Sequence, residues 1–429
     1  MKNAGKNSDS YSDPDASSFG VSDYIKITIY GFAINTLWNP MSTILLPMLV
    51  LSFVDESEKN TQLALITLVG LVLAIIVQPV AGLVSDRSGC AWGKRRPYIL
   101  VGSFFMIGLL MLLGWTNSFA ILFLIICLLQ IASNIANGPW FGFIPDLVPE
   151  DKRGIASGVK GVVEMLGAII GIQLIGYLMS QRFPAGGDTR LFLSLGVISI
   201  TIAGATLATV LLVKEKPGMP GQKVNWLSII YETFKISLKP HRDFIYYLIS
   251  RLLFLIPLLM LRTFGLYLFR DVAQFADPVA VIADLTVVLG VCILVAVLPT
   301  GYLADKTGRR PIIIGSALIG AVGFVILFFF QTYTYVMIGG GLIGLANGAF
   351  MSANWAMATD LAGQGEEARY LGLTNLATGG AAIAATFAGP VIDFFNNLYT
   401  PKLGYQVVMA ICIFLFIICA IMVSRVRTK

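Results

Sequence analysis

The sequence has little charge and few reactive side chains. Asp, Glu, Lys and Arg make up 13% of its 429 residues, and its single histidine, His241, lies outside the long apolar runs, which excludes a histidine relay within a membrane. Its five cysteines show neither metal-site nor disulfide spacing. Phosphate-binding loops and nucleophile motifs are lacking too, so we expect no enzyme, no ATP-driven pump and no cofactor.

Long apolar runs fill most of the chain and indicate a membrane environment. Hydrophobic residues make up 56% of the sequence and its mean hydropathy is +0.80, too high for a domain that presents a charged surface to water. Such runs cross the hydrocarbon as helices, which satisfy their own backbone hydrogen bonds. They predict an all-α polytopic membrane protein with about 12 transmembrane helices. The predicted spans are 24–51, 61–84, 97–115, 118–144, 155–180, 190–213, 243–270, 277–303, 311–330, 334–358, 370–396 and 403–424.

The basic residues predict the orientation of these spans. The net charge is +6, but Lys and Arg fall in short loops between apolar runs, so they indicate topology within a lipid bilayer and no nucleic-acid partner. With both termini in the cytoplasm, the opposite loops carry only Lys59, Arg182, Arg190, Arg270 and Lys402. We therefore predict a multi-pass protein of a cell membrane, inner or plasma, with both termini cytoplasmic.

The chain divides into two halves. Pro, Gly and Lys residues at 214–223 interrupt the pattern and predict a linker, in which 226–239 is compatible with an interfacial helix. The predicted parts are a disordered cytoplasmic tail 1–23, a six-helix bundle 24–213, a cytoplasmic linker 214–242, a six-helix bundle 243–424 and a cytoplasmic tail 425–429.

Short motifs recur in the same order in both halves, offset by 210 to 214 residues. Matching order and offset indicate two pseudo-symmetric six-helix bundles with a cavity between them. The pairs are Arg96-Pro97 with Arg310-Pro311, Ala136-Asn137-Gly138 with Ala346-Asn347-Gly348, and Asp146-Leu147 with Asp360-Leu361.

The repeated turns also resemble a known family. The turn from Gly82 through Asp86 and Arg87 to Gly93-Lys94-Arg95-Arg96-Pro97, and its counterpart from Gly301 through Asp305 and Lys306 to Gly308-Arg309-Arg310-Pro311, resemble the loop signature of the major facilitator superfamily. The longer spacer of the first copy is similar to that of the glycoside–pentoside–hexuronide:cation symporters and the related sucrose carriers. So are Asn137-Gly138-Pro139, Pro145-Asp146-Leu147 and the segment from Trp355 to Asp360-Leu361. The resemblance implies transport by alternating access.

Charged residues at the cytoplasmic turns predict conformational clamps. A carboxylate at a helix end can cap a neighbouring helix N-terminus and pair with arginine. The resemblance implies that such contacts steady the outward-facing state, although basic residues can also serve only to set orientation. The predicted clamp comprises Asp86, Arg87, Arg95, Arg96, Asp305, Arg309 and Arg310. A second lock is predicted at Asp146, Arg153, Asp360 and Arg369, with a solvated surface as the alternative.

Amide and indole side chains within the spans predict a solute site. Asn35, Trp38 and Asn39 share one helix face, as i, i+3 and i+4 residues do. Amides donate and accept hydrogen bonds and indole rings stack on apolar sugar faces, which suits a neutral polyhydroxylated solute. The alternative is that Asn joins helices and Trp marks the membrane interface. Further candidates are Asn134, Asn137, Asn347, Asn354 and Trp355.

Ionisable residues within the spans predict ion coupling, because a charge in lipid is costly. Glu164 and Arg251 lie at matching depths, and a carboxyl that alternates between a proton and an arginine can couple transport to a proton. Alternatively, Glu164 forms a local pair with Lys160. Arg262 and Asp284 are predicted near the outer ends of adjacent spans, as a gate or a static ion pair.

These features together predict a secondary transporter that moves a sugar or glycoside, with proton symport, and acts as a monomer. Uncoupled facilitation is one alternative. A second is a facilitator or exporter of an organic anion or amphipathic compound, with Arg251 as the anion partner, and a third is a non-transporting, carrier-like receptor.

Overall fold

The structure, a computed structural model, describes residues 20–180, 187–215, 242–361 and 367–426, with the side chains of 187, 367–369 and 371 left out. All regular secondary structure in these residues is helical, and 12 helices are long and apolar enough to cross a membrane. This confirms the predicted fold class. Residues 1–19, most of the predicted linker with 226–239 and His241, and the side chain of Arg369 lie outside the description.

The helices alternate in direction through two sets of six. In chain order they are α1 Val21–Phe53, α2 Lys59–Asp86, α3 Arg96–Leu113, α4 Phe119–Leu147, α5 Glu150–Met179, α6 Asp188–Leu212, α7 Arg242–Val272, α8 Pro278–Thr307, α9 Arg309–Phe329, α10 Tyr333–Leu361, α11 Gly372–Leu398 and α12 Leu403–Ser424. An even number of crossings puts residues 20 and 426 at one end of the molecule. We call this the terminal end, and the opposite end the distal end.

Two helices change geometry within the span. In α1, Pro40 is followed by a π-helical turn, Met41–Leu45, because proline cannot donate its backbone hydrogen bond. In α4, the regular helix ends at Phe141 and restarts at Phe143 after Gly142, close to Pro139. Both changes lie beside residues that the sequence assigns to a site.

Small residues allow the helices of each half to pack closely. A Cβ on Gly167 of α5 would lie 2.3 Å from the carbonyl oxygen of Phe32 in α1, and one on Gly102 of α3 would lie 2.7 Å from that of Ala132 in α4. Gly323 and Gly339 bring α9 and α10 together in the same way. This is how helices associate in lipid, where burial of apolar surface no longer distinguishes one contact from another.

Candidate functional site

A cavity of about 450 Å³ lies between the two halves. α1 and α5 contribute Asn39 and Met165 to its wall, while α7 and α10 contribute Arg251, Asn347 and Trp355. Most of the remaining lining side chains are Leu and Ile. An apolar wall with a few polar groups is typical of a small-molecule site, in which the polar groups fix orientation.

A second cavity of about 280 Å³ adjoins the first, and Leu259 and Arg262 line both. Its polar lining comes mainly from the N-terminal half and includes Trp38, Asn134 and Asn137. The Oδ1 atom of Asn137 is buried without a hydrogen-bond partner, so one acceptor on this wall is free. We call the two cavities the larger and the smaller lobe.

Three predicted residues of α1 have different surroundings. Trp38 lines the smaller lobe and donates from its indole N–H to Ser133 at 2.8 Å, while Asn39 lines the larger lobe. Asn35 lines neither lobe. It donates to the Gly31 carbonyl at 2.9 Å and its Oδ1 accepts from Asn39 at 3.1 Å, so Asn35 orients Asn39.

Asn354 is fully buried and lies beneath Arg251 rather than on the cavity wall. Its Oδ1 accepts hydrogen bonds from Arg251 and from the Tyr247 hydroxyl, the latter at 3.0 Å. Arg251 also donates to Thr378 at 3.1 Å, and its guanidinium lies 5.3 Å from the centre of the Trp355 ring. Asn354 therefore positions Arg251 against the larger lobe.

Glu164 and Arg251 are not paired in this conformation. Glu164 lies 3.4 Å from Lys160 one turn earlier in α5, which is the local alternative considered from the sequence. The Lys160 ammonium lies 5.0 Å from the ring centre of Trp140 and 4.1 Å from that of Phe141, at the break in α4. Glu164 thus has one cation partner and a half-buried side chain next to the helix that carries the predicted solute residues.

Arg262 and Asp284 do not form the predicted ion pair. Arg262 donates from Nε and Nη2 to the Ser42 hydroxyl, at 3.2 and 3.0 Å, across the boundary between the halves. Asp284 instead accepts from the Tyr333 hydroxyl at 3.1 Å. Among the predicted gate residues, Arg262 is the one that lines both lobes.

The predicted clamps form one Asp–Arg–Asp cluster in each half. Arg95 donates to Asp86 at 2.7 Å and to Asp146 at 2.6 Å. In the C-terminal half, Arg309 donates to Asp305 at 2.8 Å and to Asp360 at 2.7 Å. The two locks proposed from the sequence are therefore a single cluster on each side. Each cluster lies within its own half, so these bonds do not join the halves in this conformation.

The other predicted clamp residues have separate partners. Arg153 donates to the carbonyls of Pro145 and Val148, at 2.9 and 3.2 Å, and lies 3.5 Å from Glu150. Arg310 donates to the carbonyl of Ser424. Arg96 is buried and Arg87 half-buried, and neither belongs to an ion pair within the described part of the chain.

A cluster at the distal end, which the sequence did not predict, joins the halves. Lys59 of α2 is only 5% exposed and lies 2.6 Å from Asp271 of α7. Asp393 of α11, also 5% exposed, accepts from the Asn60 side chain at 2.8 Å and from the backbone N–H of Thr61 at 2.6 Å. A carboxylate of one half thus caps the first turn of a helix in the other.

The rim of this distal cluster contains Glu56, which joins Lys59 and Arg270 at 2.5 Å each. Burial opposes the ionisation of Glu56, but hydrogen bonds from the two cations outweigh this effect and lower its pKa below the ordinary value. Tyr405 donates to Asp271 at 2.7 Å. One signal for this cluster was present in the sequence, because Asp393 is an acid inside the predicted span 370–396.

Known proteins similar to this chain are transporters. The family model described as MFS/sugar transport protein matches residues 28–369. A sucrose transport protein of Arabidopsis thaliana is 28% identical over 184 residues, which cover 35% of this chain and 31% of that protein. The general alpha-glucoside permease of Schizosaccharomyces pombe is 27% identical over 170 residues, covering 36% of this chain and 31% of that protein. The chain therefore matches about a third of the length of these curated relatives.

Solved structures show the same fold. That of a D-xylose–proton symporter has a TM-score of 0.72 with 15% sequence identity, over 95% of this chain and 99% of that one. At this identity the likeness concerns the arrangement of helices alone.

Proposed function

Because this chain belongs to the MFS/sugar transport protein family, we propose that it carries a sugar or glycoside across a cell membrane by alternating access. The chain is a multi-pass membrane transporter and not an enzyme. The observation that carries the choice of substrate is the two-lobed cavity between the halves, where Asn39, Asn134, Asn137 and Asn347 lie near the indoles of Trp38 and Trp355. Sugar hydroxyls pair with the amides and an apolar sugar face stacks on the rings.

We assign the terminal end to the cytoplasm and the distal end to the outside. The loops at the terminal end carry most of the basic residues, which supports this orientation. The distal cluster then closes the outer side of the cavity, and we propose that the structure represents an inward-facing state. We also propose a monomer as the transport unit, because a single chain supplies both of the halves that enclose the cavity.

We assign proton coupling to Glu164. Its only cation partner in the described residues is Lys160, and the side chain is half-buried, so a change in helix packing can exchange this partner for a proton. Arg251 lies across the cavity with neutral partners and is available to a carboxylate in another conformation. The rival is uncoupled facilitation, which a permanent Lys160–Glu164 pair favours.

The test is uptake of labelled mono- and disaccharides into proteoliposomes, with and without an imposed inward proton gradient. We expect concentrative uptake that needs the gradient, and Glu164→Gln should abolish accumulation while leaving downhill exchange. The matched control is Glu150→Gln. Glu150 is an acid of the same helix whose side chain is 89% exposed, so its substitution should change neither accumulation nor downhill exchange.

Three outcomes distinguish the hypotheses. Uptake that ignores both the gradient and the Glu164 substitution would establish facilitation. Accumulation that survives in Glu164→Gln would assign coupling to another residue. A lack of uptake for every sugar would refute the proposed substrate class.

A further inference from the structure

In the described part of the chain, the lining of the cavity carries positive charge and no carboxylate. Among the described residues that line the two lobes, the only charged ones are Arg251 and Arg262, and both belong to α7. They are 11 residues apart in sequence, so about 16 Å separates them along the helix axis. A cavity of one sign with low-dielectric walls concentrates ions of the opposite sign.

The partner of Arg262 among the described residues is neutral. Its Nε and Nη2 donate to the Ser42 hydroxyl, which itself donates to the Trp38 carbonyl at 2.8 Å. Within the described residues, no carboxylate lies within 4.0 Å of Arg262, and its expected partner Asp284 is bonded to Tyr333. The guanidinium offers five N–H donors, so a ligand can still engage it.

The positive charge of Arg251 is stabilised by more groups than that of Arg262. An amide, a hydroxyl and the face of an indole ring hold it, and it is only 7% exposed. Arg262 is instead exposed, at the junction of the lobes, where the exposure is toward the cavity. Of the two arginines, Arg262 therefore has the freer donors.

Physical chemistry favours an anionic group at this position. An arginine that faces a largely apolar cavity without a counterion is costly, and a bound anion removes that cost. Guanidinium forms bidentate, charge-assisted bonds with carboxylate or phosphate, whereas a sugar hydroxyl gives one weaker bond. From Arg262, the rest of a solute can reach Asn39 in the larger lobe or Asn137 in the smaller.

We propose that Arg262 determines substrate specificity by binding an anionic group, so that the favoured substrate is an acidic sugar derivative bearing a carboxylate or a phosphate. This inference rests on the proposed function, because it narrows the class of sugar that the same cavity accepts. It also gives Arg262 a role other than the gate or static pair expected from the sequence.

The test compares labelled glucose, glucuronate and glucose 6-phosphate in proteoliposomes, and in parallel titrates each one against the tryptophan fluorescence of the purified protein. The wild type should prefer one of the two anions to glucose, which also identifies the anionic group. In Arg262→Gln, the preference for that anion over glucose should fall about tenfold or more, and Arg262→Lys should restore part of this preference.

Arg242→Gln is the matched control, because Arg242 lies on the same helix outside the cavity and donates to the Tyr246 hydroxyl. Equal use of glucose and the anions by the wild type, or an equal loss for all three in Arg262→Gln, would overturn the inference and leave sugar transport standing. If no sugar is taken up, the proposed function fails. If the purified wild type then still binds an anion and Arg262→Gln does not, Arg262 remains supported as an anion site. If the wild type binds neither anion, both the proposed function and the role of Arg262 are refuted.

Discussion

Removing one carboxylate from the distal cluster should shift the equilibrium between the two states of the transporter. In Asp271→Asn, Lys59 loses an ion pair of 2.6 Å and Tyr405 loses a charged acceptor at 2.7 Å. Breaking a buried ion pair costs about 3–5 kcal/mol, and a hydrogen bond to a charged group contributes about 1.5–3 kcal/mol. Lys59 keeps Glu56 as a partner and is not left uncompensated, so we expect a loss below the range for a broken buried pair, about 2–3 kcal/mol.

A loss of this size corresponds to a shift of about 30- to 150-fold toward the state that opens at the distal end. The two ends become distinguishable if a single cysteine replaces Thr286, a half-buried residue of the larger lobe, in a chain whose own cysteines are substituted. A membrane-impermeant maleimide added at the distal face should label this cysteine faster in Asp271→Asn, by up to that factor.

The control for this experiment removes an acid whose ion pair lies within one half of the molecule. Glu150 lies 3.5 Å from Arg153 near the terminal end and is 89% exposed, so Glu150→Gln should leave the labelling rate unchanged. Equal labelling of the wild type and Asp271→Asn would show that the distal cluster does not hold the closed state. Faster labelling in Glu150→Gln would show that the effect is not specific to that cluster.

Two further predictions concern the charged clusters. A Cβ on Gly142 would lie 1.8 Å from the Arg95 guanidinium, so Gly142→Ala should displace Arg95 and lower the thermal stability of the purified protein, whereas Gly154→Ala, with open space around it, should be neutral or stabilising. The second prediction concerns Glu56, whose pKa is lowered in the closed state. The contribution of the Glu56 carboxylate to closure is therefore complete above the ordinary pKa of 4.5, and it is lost as the pH falls through the lowered pKa. Because maleimide reacts with the thiolate, the labelling rate is divided at each pH by that of a fully exposed reference cysteine. This ratio at the distal face should rise only below about pH 4.5, and Glu56→Gln should abolish this pH dependence.

The helices could be predicted because span length and apolar content are local properties of a sequence. Several of the observed helices extend beyond the predicted spans, as in α2, which covers Lys59–Asp86 where 61–84 was expected. Hydropathy falls where polar side chains begin, but the backbone hydrogen bonds continue into the interface. The relatives fit the branch of glycoside and sucrose carriers that the loop motifs predicted, which confirms that resemblance.

Side-chain partners depend on which helices are neighbours, and the sequence does not contain that information directly. Asp86 and Asp146 were assigned to separate locks because they lie at different turns between the predicted spans, yet α2 and α4 bring both to Arg95. Arg262 was paired with Asp284 from their similar depth, whereas rotation about the helix axes directs them to Ser42 and Tyr333. Depth can be calculated from residue number, but azimuth requires the packed structure.

The distal cluster shows the kind of contact that the terminal clusters can make in the opposite state. At the distal end, Asp393 caps the first turn of α2 across the boundary between the halves. At the terminal end, Arg95 and Arg309 already hold their carboxylates in place, but the Asp86 and Asp305 side chains are 45% and 70% exposed. A carboxylate has about four acceptor positions, so both retain free ones. If the terminal ends close, these fixed carboxylates can accept N–H groups from the other half at little entropic cost, because the arginines have already restricted them. The contact common to both states would then be a carboxylate at a helix N-terminus of the opposite half, formed at one end of the molecule while the other end is open.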